Sequence, residues 1–339
     1  MDQPADLTAL ARASAALGED PTIVQAAGGN TSVKVDDVLW VKASGFWLKD
    51  ALTRPIFVPL SLSGVRRRIA AGEDEPARPE VIAWPGMAGL RPSIETALHA
   101  LLPQRFVLHT HSVVTIAWAI RQDGERAIAP RLDGLRWGWI PYVMPGVPLT
   151  RAIDRAMAAK GALDVLILGN HGLVVAADTL DDALALHAEV EARLAVPLRA
   201  THTPDLDALA PIAATTGRRL PRHEAVHGLA LDPETTALAL AGPLYPDHVI
   251  FLGPRLSSWT GTRESEPEAP LLLVPGGGAL VAPDLSPSGE ELALCLALVL
   301  ERSAPGAAVT TLPPDEVDAL LQWDAEAYRK ELMRRERFA

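Results

Sequence analysis

Residues 91–111, RPSIETALHALLPQRFVLHTH, restrict the fold more than any other stretch. Ile94, Ala97, Leu98, Leu101 and Leu102 recur at helical spacing after a Pro-Ser start, which predicts a short amphipathic helix. Pro103 ends it, and the β-rich run Phe106-Val107-Leu108 leads into His109-Thr110-His111. Residues i and i+2 of an extended chain point to the same side, so both imidazoles face one way, as one metal ion requires of two ligands. Glu95 and His99 are four residues apart and share a face of the preceding helix. A single helix-turn-strand unit thus carries an acid and two same-facing imidazoles.

A second unit supplies a third. The apolar strand Val165-Leu166-Ile167-Leu168 runs into Gly169-Asn170-His171-Gly172, then a short strand, Leu173-Val174-Val175, and a helix over 180–194. A histidine in a glycine-bounded turn at a strand end is accessible. Three imidazoles and an open position are the donor set of a catalytic zinc site. Such an ion can bind two adjacent oxygens of a hydroxy-carbonyl compound and stabilise an enediolate as a Lewis acid, while a nearby carboxylate, Glu95, shuttles the proton. The alternative for any single one of these histidines is a core side chain bonded to backbone.

The N-terminal part reads as a helix over 5–17, then the small polar turn Ala26-Ala27-Gly28-Gly29-Asn30-Thr31-Ser32. A hairpin of strands around Val33–Val35 and Val38–Val41 turns at Asp36-Asp37 and ends in Ala43-Ser44-Gly45. The two small-residue turns could present N–H groups and hydroxyls to a phosphate, or be ordinary turns; neither matches a Walker loop or a dinucleotide fingerprint. Residues 61–70 and 149–159 read as helices and 112–121 as a buried helix. Residues 72–91 read as a loop. Residues 122–147 read as irregular, with Tyr142 to Gly146 as a short strand and turn.

Pro197 begins a linker that runs to Thr216. From 217 onward the pattern is that of a smaller α/β domain. It contains a helix-compatible 221–230, a strand Val249-Ile250-Phe251-Leu252, a charged loop at 259–269, and a strand 271–274 ending in the turn Pro275-Gly276-Gly277-Gly278. Helices follow over 287–302, capped by Ser286, and over 313–321 and 323–333. His223, His227 and His248 are assigned to the surface or to an interdomain face rather than to a second metal site.

A chain of 339 residues suits two domains, and an apolar content of 48% is enough to bury a core in each. The formal charge of −11 and the lack of clustered basic and aromatic residues argue against a nucleic-acid partner; Arg66-Arg67-Arg68 reads as a solvated helix face. Cys295 is the single cysteine, set in an apolar run, so it reads as core filler and no disulfide framework is expected. The N-terminus has neither a basic nor an apolar leader segment, and no run has the length of a membrane span. The expectation is a cytoplasmic protein with no membrane partner.

Five segments in this order, GGNTSVK, VKASG, PSIETALHALLP, LHTHS and LILGNHGL, resemble the class II aldolase/adducin family over about residues 6–200. The resemblance implies an α/β fold, a class II aldolase-like mixed β-sheet sandwiched by helices, as a catalytic domain over 1–205, followed by the smaller domain over 217–339. It implies zinc (or another divalent transition metal) held by His109, His111 and His171, with Glu95 as general acid/base. The implied reaction is reversible retro-aldol cleavage of a sugar or ketose phosphate, yielding dihydroxyacetone phosphate and an aldehyde. Gly29, Asn30, Thr31, Ser44, Gly45 and Ser93 match the family's phosphate-binding turns. The match departs from the family where Ile94 replaces a second serine and where Ala43 precedes Ser44-Gly45.

His99 is assigned a place behind the ligands or in the core. A homo-oligomer, dimer or tetramer, is implied as well. The later segments AGPLYPDHVIF, LLVPGGG and LLQWDAEAYRKEL resemble the long form, in which the aldolase domain of rhamnulose-phosphate-type bifunctional proteins precedes a short-chain dehydrogenase. The sequence stops at Ala339, so no nicotinamide cofactor is expected. A sugar-phosphate 4-epimerase or dehydratase using the same metal is the alternative enzyme, and a non-catalytic adducin-like module is the alternative of another kind; that branch lacks the metal histidines.

Overall fold

The computed structural model describes residues 3–87, 89–200 and 202–323. Packing divides the chain into two compact units, one of residues 1–115 and 128–194, the other of residues 116–127 and 195–339. The helix expected over 323–333 lies outside the described residues, save for Trp323.

The first unit is built on a seven-stranded sheet of order β3-β2-β1-β4-β7-β6-β5. Its strands are β1 (Asn30–Val35), β2 (Val38–Lys42), β3 (Phe57–Ser61), β4 (Phe106–Thr110), β5 (Trp137–Ile140), β6 (Val165–Leu168) and β7 (Gly172–Ala177). The β1–β2 hairpin turns on Asp36 at φ 53°, a left-handed conformation that Asp tolerates. Pro59, which cannot donate to a ladder, sits in the edge strand β3. Every pair is antiparallel except β5–β6. That parallel pair needs a crossover, and helix 147–160 lies between the two strands in the chain. The sheet is therefore mixed. β5 replaces the irregular reading of this region. Its pattern, Trp137-Gly138-Trp139-Ile140, is short and glycine-interrupted, and only pairing with β6 reveals it as a strand. Tyr142 to Gly146 form no strand.

Helices through the chain are α1 (Ala5–Glu19), α2 (Leu62–Ala70), α3 (Thr96–Leu101), α4 (Val113–Ala119), α5 (Gly124–Ile128), α6 (Val147–Lys160), α7 (Leu180–Leu194), α8 (Leu206–Thr216), α9 (Gly228–Leu231), α10 (Pro233–Leu240), α11 (Pro246–Leu252), α12 (Pro287–Leu300) and α13 (Pro314–Gln322). In the first unit α1 and α7 cover one face of the sheet, where Leu7, Leu10 and Ala183 pack with Val33, Trp40, Phe106 and Leu108. On the other face Leu98 comes from α3 and Leu102 from just past its end, Leu149 and Ile153 come from α6, and Val65 from α2. These pack with Val107, Leu166 and Val174 and with Leu39 and Val41. Along β4 the alternation is strict: Phe106 and Leu108 face α1 and α7, and Val107 faces α3. His109 follows Val107 by two and falls on the α3 side. Thr110 falls on the other, its Oγ1 3.0 Å from His187 Nε2 on α7.

The second unit holds a three-stranded sheet of order β10-β9-β8, with β8 (Ser257–Ser258), β9 (Leu271–Val274) and β10 (Gly278–Val281). The Pro275-to-Gly278 turn joins β9 to β10, Gly276 at φ 76°. Helix α12 is capped by Ser286, whose Oγ accepts from Gly289 N, and buries most of its length. Cys295 lies within it, buried; burial pushes its thiol up to about 12, so it is inert as a nucleophile.

Two expectations for this unit change. Val249 to Leu252 end helix α11 rather than forming a strand; a run of four apolar residues has no readable period, and Pro246-Asp247 before it is a helix start. The stretch 206–216, expected as linker, is helix α8, capped by the Asp205 carboxylate and stopped by Gly217 at φ 71°.

His227 and His248 are buried inside this unit rather than set on its surface. Each accepts a backbone N–H at Nδ1, His227 from Ala279 (3.0 Å) and His248 from Leu244 (3.4 Å). Burial lowers the pKa of His248 to about 3. The unfolded chain, with its histidine near 6.5, takes up a proton there first as pH falls. Stability from this site is thus complete above pH 6.5 and lost between 6.5 and 3, on the order of 5 kcal/mol. His248→Asn, which keeps an acceptor without a titrating ring, is expected to flatten the acid limb of the urea midpoint between pH 7 and 4.5. Equal slopes in variant and wild type would contradict this.

Candidate metal centre

His109, His111 and His171 converge from three backbone positions: inside β4, just past its end, and in the turn between β6 and β7. Their rings stand edge-on to one another with centroids 5.0–5.3 Å apart, and one nitrogen from each lies within 4.8 Å of the others. All are buried. His109 Nδ1 lies 2.9 Å from Leu173 O. A carbonyl only accepts, so Nδ1 carries the proton and Nε2 turns toward the cluster, the second-nitrogen anchoring that metal-binding imidazoles use.

Backbone closeness makes this possible. Asn170 takes φ 51° in the turn, and a Cβ on Gly172 would lie 2.4 Å from Thr110 O. Glycine is therefore needed to bring His171 against the end of β4. Gly172→Ala is expected to lower stability by roughly 2–4 kcal/mol and to reduce metal retention, read by urea unfolding and elemental analysis. An unchanged midpoint would contradict the close approach.

Glu95 stands at the start of α3, at φ −97° and ψ 10°, in the bridge region where many active-site residues sit. Ser93 Oγ accepts from its N–H, and Thr96 Oγ1 donates to Ser93 O. This turn makes α3 begin at Thr96, later than the spacing suggests. The Glu95 carboxylate lies 3.3 Å from His109 Nε2 and 3.4 Å from His171 Nε2, and Oε2 accepts from Asn30 Nδ2 at 2.8 Å. Burial pushes Glu95 up; positive charge among the imidazoles, on His109 first and then His171, together with the Asn30 amide, outweighs it and holds the carboxyl well below its usual range.

With His109 neutral, its one proton spent on Leu173 O, that charge is gone and a lone pair faces the carboxylate. A divalent cation among these atoms removes that conflict, so the donor set fits one metal ion. Glu95 lies among the nitrogens.

The remaining sequence-derived residues fall into two groups. Gly29 takes φ 59°, and a Cβ on it would come within 2.8 Å of His109 O, so this turn also packs against the centre. Gly45 takes φ 81°. Ser44 N donates to Arg91 O and Ser93 N to Lys42 O, a short ladder that brings Ser44 and Ser93 together. The Thr31 side chain is buried. It points to the opposite face of β1, its hydroxyl 2.7 Å from Ser14 Oγ on α1, because alternate residues of a strand face opposite ways. The Asn30 side chain is likewise engaged within the protein, by Glu95 and by His99.

Lys42 was missed by sequence reasoning. Its buried ammonium donates to Ala27 O (2.9 Å) and Phe46 O (2.6 Å), tying together the two small-residue turns. A lysine closing the otherwise apolar strand VLWVK was the available signal.

The family model described as Class II Aldolase and Adducin N-terminal domain matches residues 8–197. The chain is 33% identical over 177 residues to the uncharacterized oxidoreductase YuxG of Bacillus subtilis, a match covering 48% of this chain and 25% of that protein. It therefore spans about a quarter of that relative's length. The solved N-terminal class II aldolase domain of a conserved protein from Thermoplasma acidophilum is 25% identical, with a TM-score of 0.48, over 57% of this chain and 94% of that one. The l-fuculose-1-phosphate aldolase from Thermus thermophilus is 16% identical, with a TM-score of 0.40, over 63% and 97%. Among the described residues no helix is long and apolar enough to cross a membrane.

Proposed function

The chain belongs to the class II aldolase and adducin N-terminal domain family, and from that premise we propose that it is a metal-dependent carbon–carbon lyase. The reaction is reversible retro-aldol cleavage of a sugar or ketose phosphate. One observation carries the reading: a buried carboxylate, Glu95, lies 3.3 and 3.4 Å from two of three clustered imidazoles. An adducin-like structural module has no use for such a constellation.

His109, His111 and His171 would hold the ion, with zinc as the proposed metal; three imidazoles with one accessible position suit it. A divalent ion there supplies a Lewis acid that polarises the substrate carbonyl. Glu95 does the proton work. In the cleavage direction ionised Glu95 takes the proton of the hydroxyl beyond the scissile bond, and that oxygen becomes the aldehyde carbonyl as the C–C bond next to the ketone breaks. The electron pair stays on the α-carbon, and Glu95 returns the proton to that carbon. In the condensation direction the same carboxylate removes it. Burial excludes water from the carboxylate, and Asn30 Nδ2 holds its orientation.

For a phosphorylated substrate, the Gly29-Asn30 backbone, Ser44, Gly45 and Ser93 form the proposed anion-binding turns, braced by Lys42. A homo-oligomer of two or four copies is part of the proposal, as is a catalytic domain over 1–205 with a smaller domain over 217–339.

The test is a survey of ketose 1-phosphates and their unphosphorylated counterparts for released dihydroxyacetone phosphate or aldehyde, with the metal-loaded protein. Cleavage of a phosphorylated ketose supports lyase and anion site together. Cleavage of unphosphorylated ketoses alone supports the lyase and removes the anion site. A protein that holds metal and cleaves nothing points instead to an epimerase or dehydratase.

A further inference from the structure

A file of polar side chains runs from Glu95 into the interior and takes no part in the proton transfer described above. Glu95 Oε2 accepts from Asn30 Nδ2 at 2.8 Å. Asn30 Oδ1 meets His99 Nε2, and His99 Nδ1 lies 2.7 Å from Ser32 Oγ. Asn30, Ser32, Glu95 and His99 are all buried. Strand periodicity puts Asn30 and Ser32 on the same face of β1, and α3 carries His99 one turn beyond Glu95 to meet them.

Every link in this file has one direction. An ionised carboxylate only accepts, so Asn30 turns its NH2 to Glu95 and its oxygen to His99. That oxygen only accepts, so His99 carries a proton on Nε2. Burial keeps the ring neutral, which leaves Nδ1 as the acceptor of the Ser32 hydroxyl proton. Were Asn30 to turn over, its oxygen would face the carboxylate, and two acceptors in a buried site repel.

We propose that Asn30, His99 and Ser32 are positioning residues for Glu95, His99 being the lock that stops the Asn30 amide from turning over. This rests on Glu95 as the acid/base group of the proposed lyase. His99 and Ser32 act only through Asn30, and a displaced acid forfeits rate without forfeiting substrate binding; a shift of about 1 Å can lower the rate about 100-fold.

The test begins with nitrogen-15 NMR of the histidine rings in the full-length protein. His99 is expected as the Nε2–H form. Steady-state kinetics and metal content follow for Asn30→Ala, His99→Leu, His99→Gln, Ser32→Ala and the Asn30→Ala/His99→Leu pair. His99→Leu is expected to lower kcat about 10–100-fold with KM within about twofold and metal content unchanged. His99→Gln, whose amide can donate to Asn30 Oδ1, is expected to recover most of the loss. The double variant is expected to be no slower than Asn30→Ala alone, since the residues act in series. Ser32→Ala, a smaller change that serves if His99→Leu fails to fold, is expected to lower kcat several-fold.

An Nδ1–H ring for His99, additive losses in the double variant, or His99→Gln as slow as His99→Leu would overturn the proposal. A wild type that cleaves nothing would overturn the lyase reading instead. The positioning role would then stand or fall on the His99 tautomer and on whether His99→Leu displaces the carbon-13 signal of the Glu95 carboxyl.

Discussion

A His109→Ala variant is expected to fall from about one divalent ion per chain to less than a tenth of that, and to lose cleavage activity by more than about 1000-fold. The size follows from two effects. Loss of an imidazole that holds the ion directly exceeds the roughly 10–100-fold loss of affinity typical of an outer partner. Loss of the Lewis acid removes several kcal/mol of charge stabilisation, each 1.36 kcal/mol being about tenfold in rate. His109 is the most informative of the three because it lies wholly inside β4, anchored to Leu173 O and 3.3 Å from Glu95. Elemental analysis after gentle purification, paired with the ketose survey, reads both losses. A variant that keeps its metal, or keeps its activity without it, would contradict the assignment.

Glu95→Gln is expected to separate chemistry from metal binding. The amide has the shape of the carboxylate and can still accept from Asn30 Nδ2, but it cannot exchange a proton at neutral pH. The expected result is kcat lower by about 100–10,000-fold, the range for a positioned general acid/base, with KM nearly unchanged and metal still bound. Loss of metal with the proton chemistry intact would make Glu95 a ligand alone. Unchanged kcat would remove it from the reaction.

How far the sequence carries depends on whether a feature is local. His109 and His111 could be read together because the period of a strand is two, and β4 keeps that period through Thr110. Helix α7 was legible to both ends, since Leu180 to Leu194 is a long periodic segment. The turn that presents His171 announced itself through Gly169 and Gly172, and the close approach of Gly172 to Thr110 O explains why.

What was hidden is what faces a residue across the sheet. Thr31 and Asn30 are neighbours in one polar turn, yet one meets Ser14 on α1 and the other Glu95 and His99 on the α3 side. The strand period of two separates them, but only once β1 is known to begin at Asn30, three residues before the strand the sequence suggests. Strand β5 and the histidines of the second unit were obscured for the same reason, their partners β6, Ala279 and Leu244 being set by the fold. Helix α11 misled because four apolar residues fit either period, and the decisive Pro246-Asp247 stood outside the run.

The proton transfer itself can be followed without knowing the aldehyde. In deuterium oxide, the metal-loaded protein mixed with dihydroxyacetone phosphate, or with dihydroxyacetone, should exchange a hydrogen on the carbon that forms the new bond. Proton NMR would follow the loss of that signal. Wild type is expected to wash it out with no aldehyde present, and Glu95→Gln and His109→Ala to leave it intact over the same time. A wild-type protein with one metal ion per chain that exchanges neither compound would contradict the retro-aldol account.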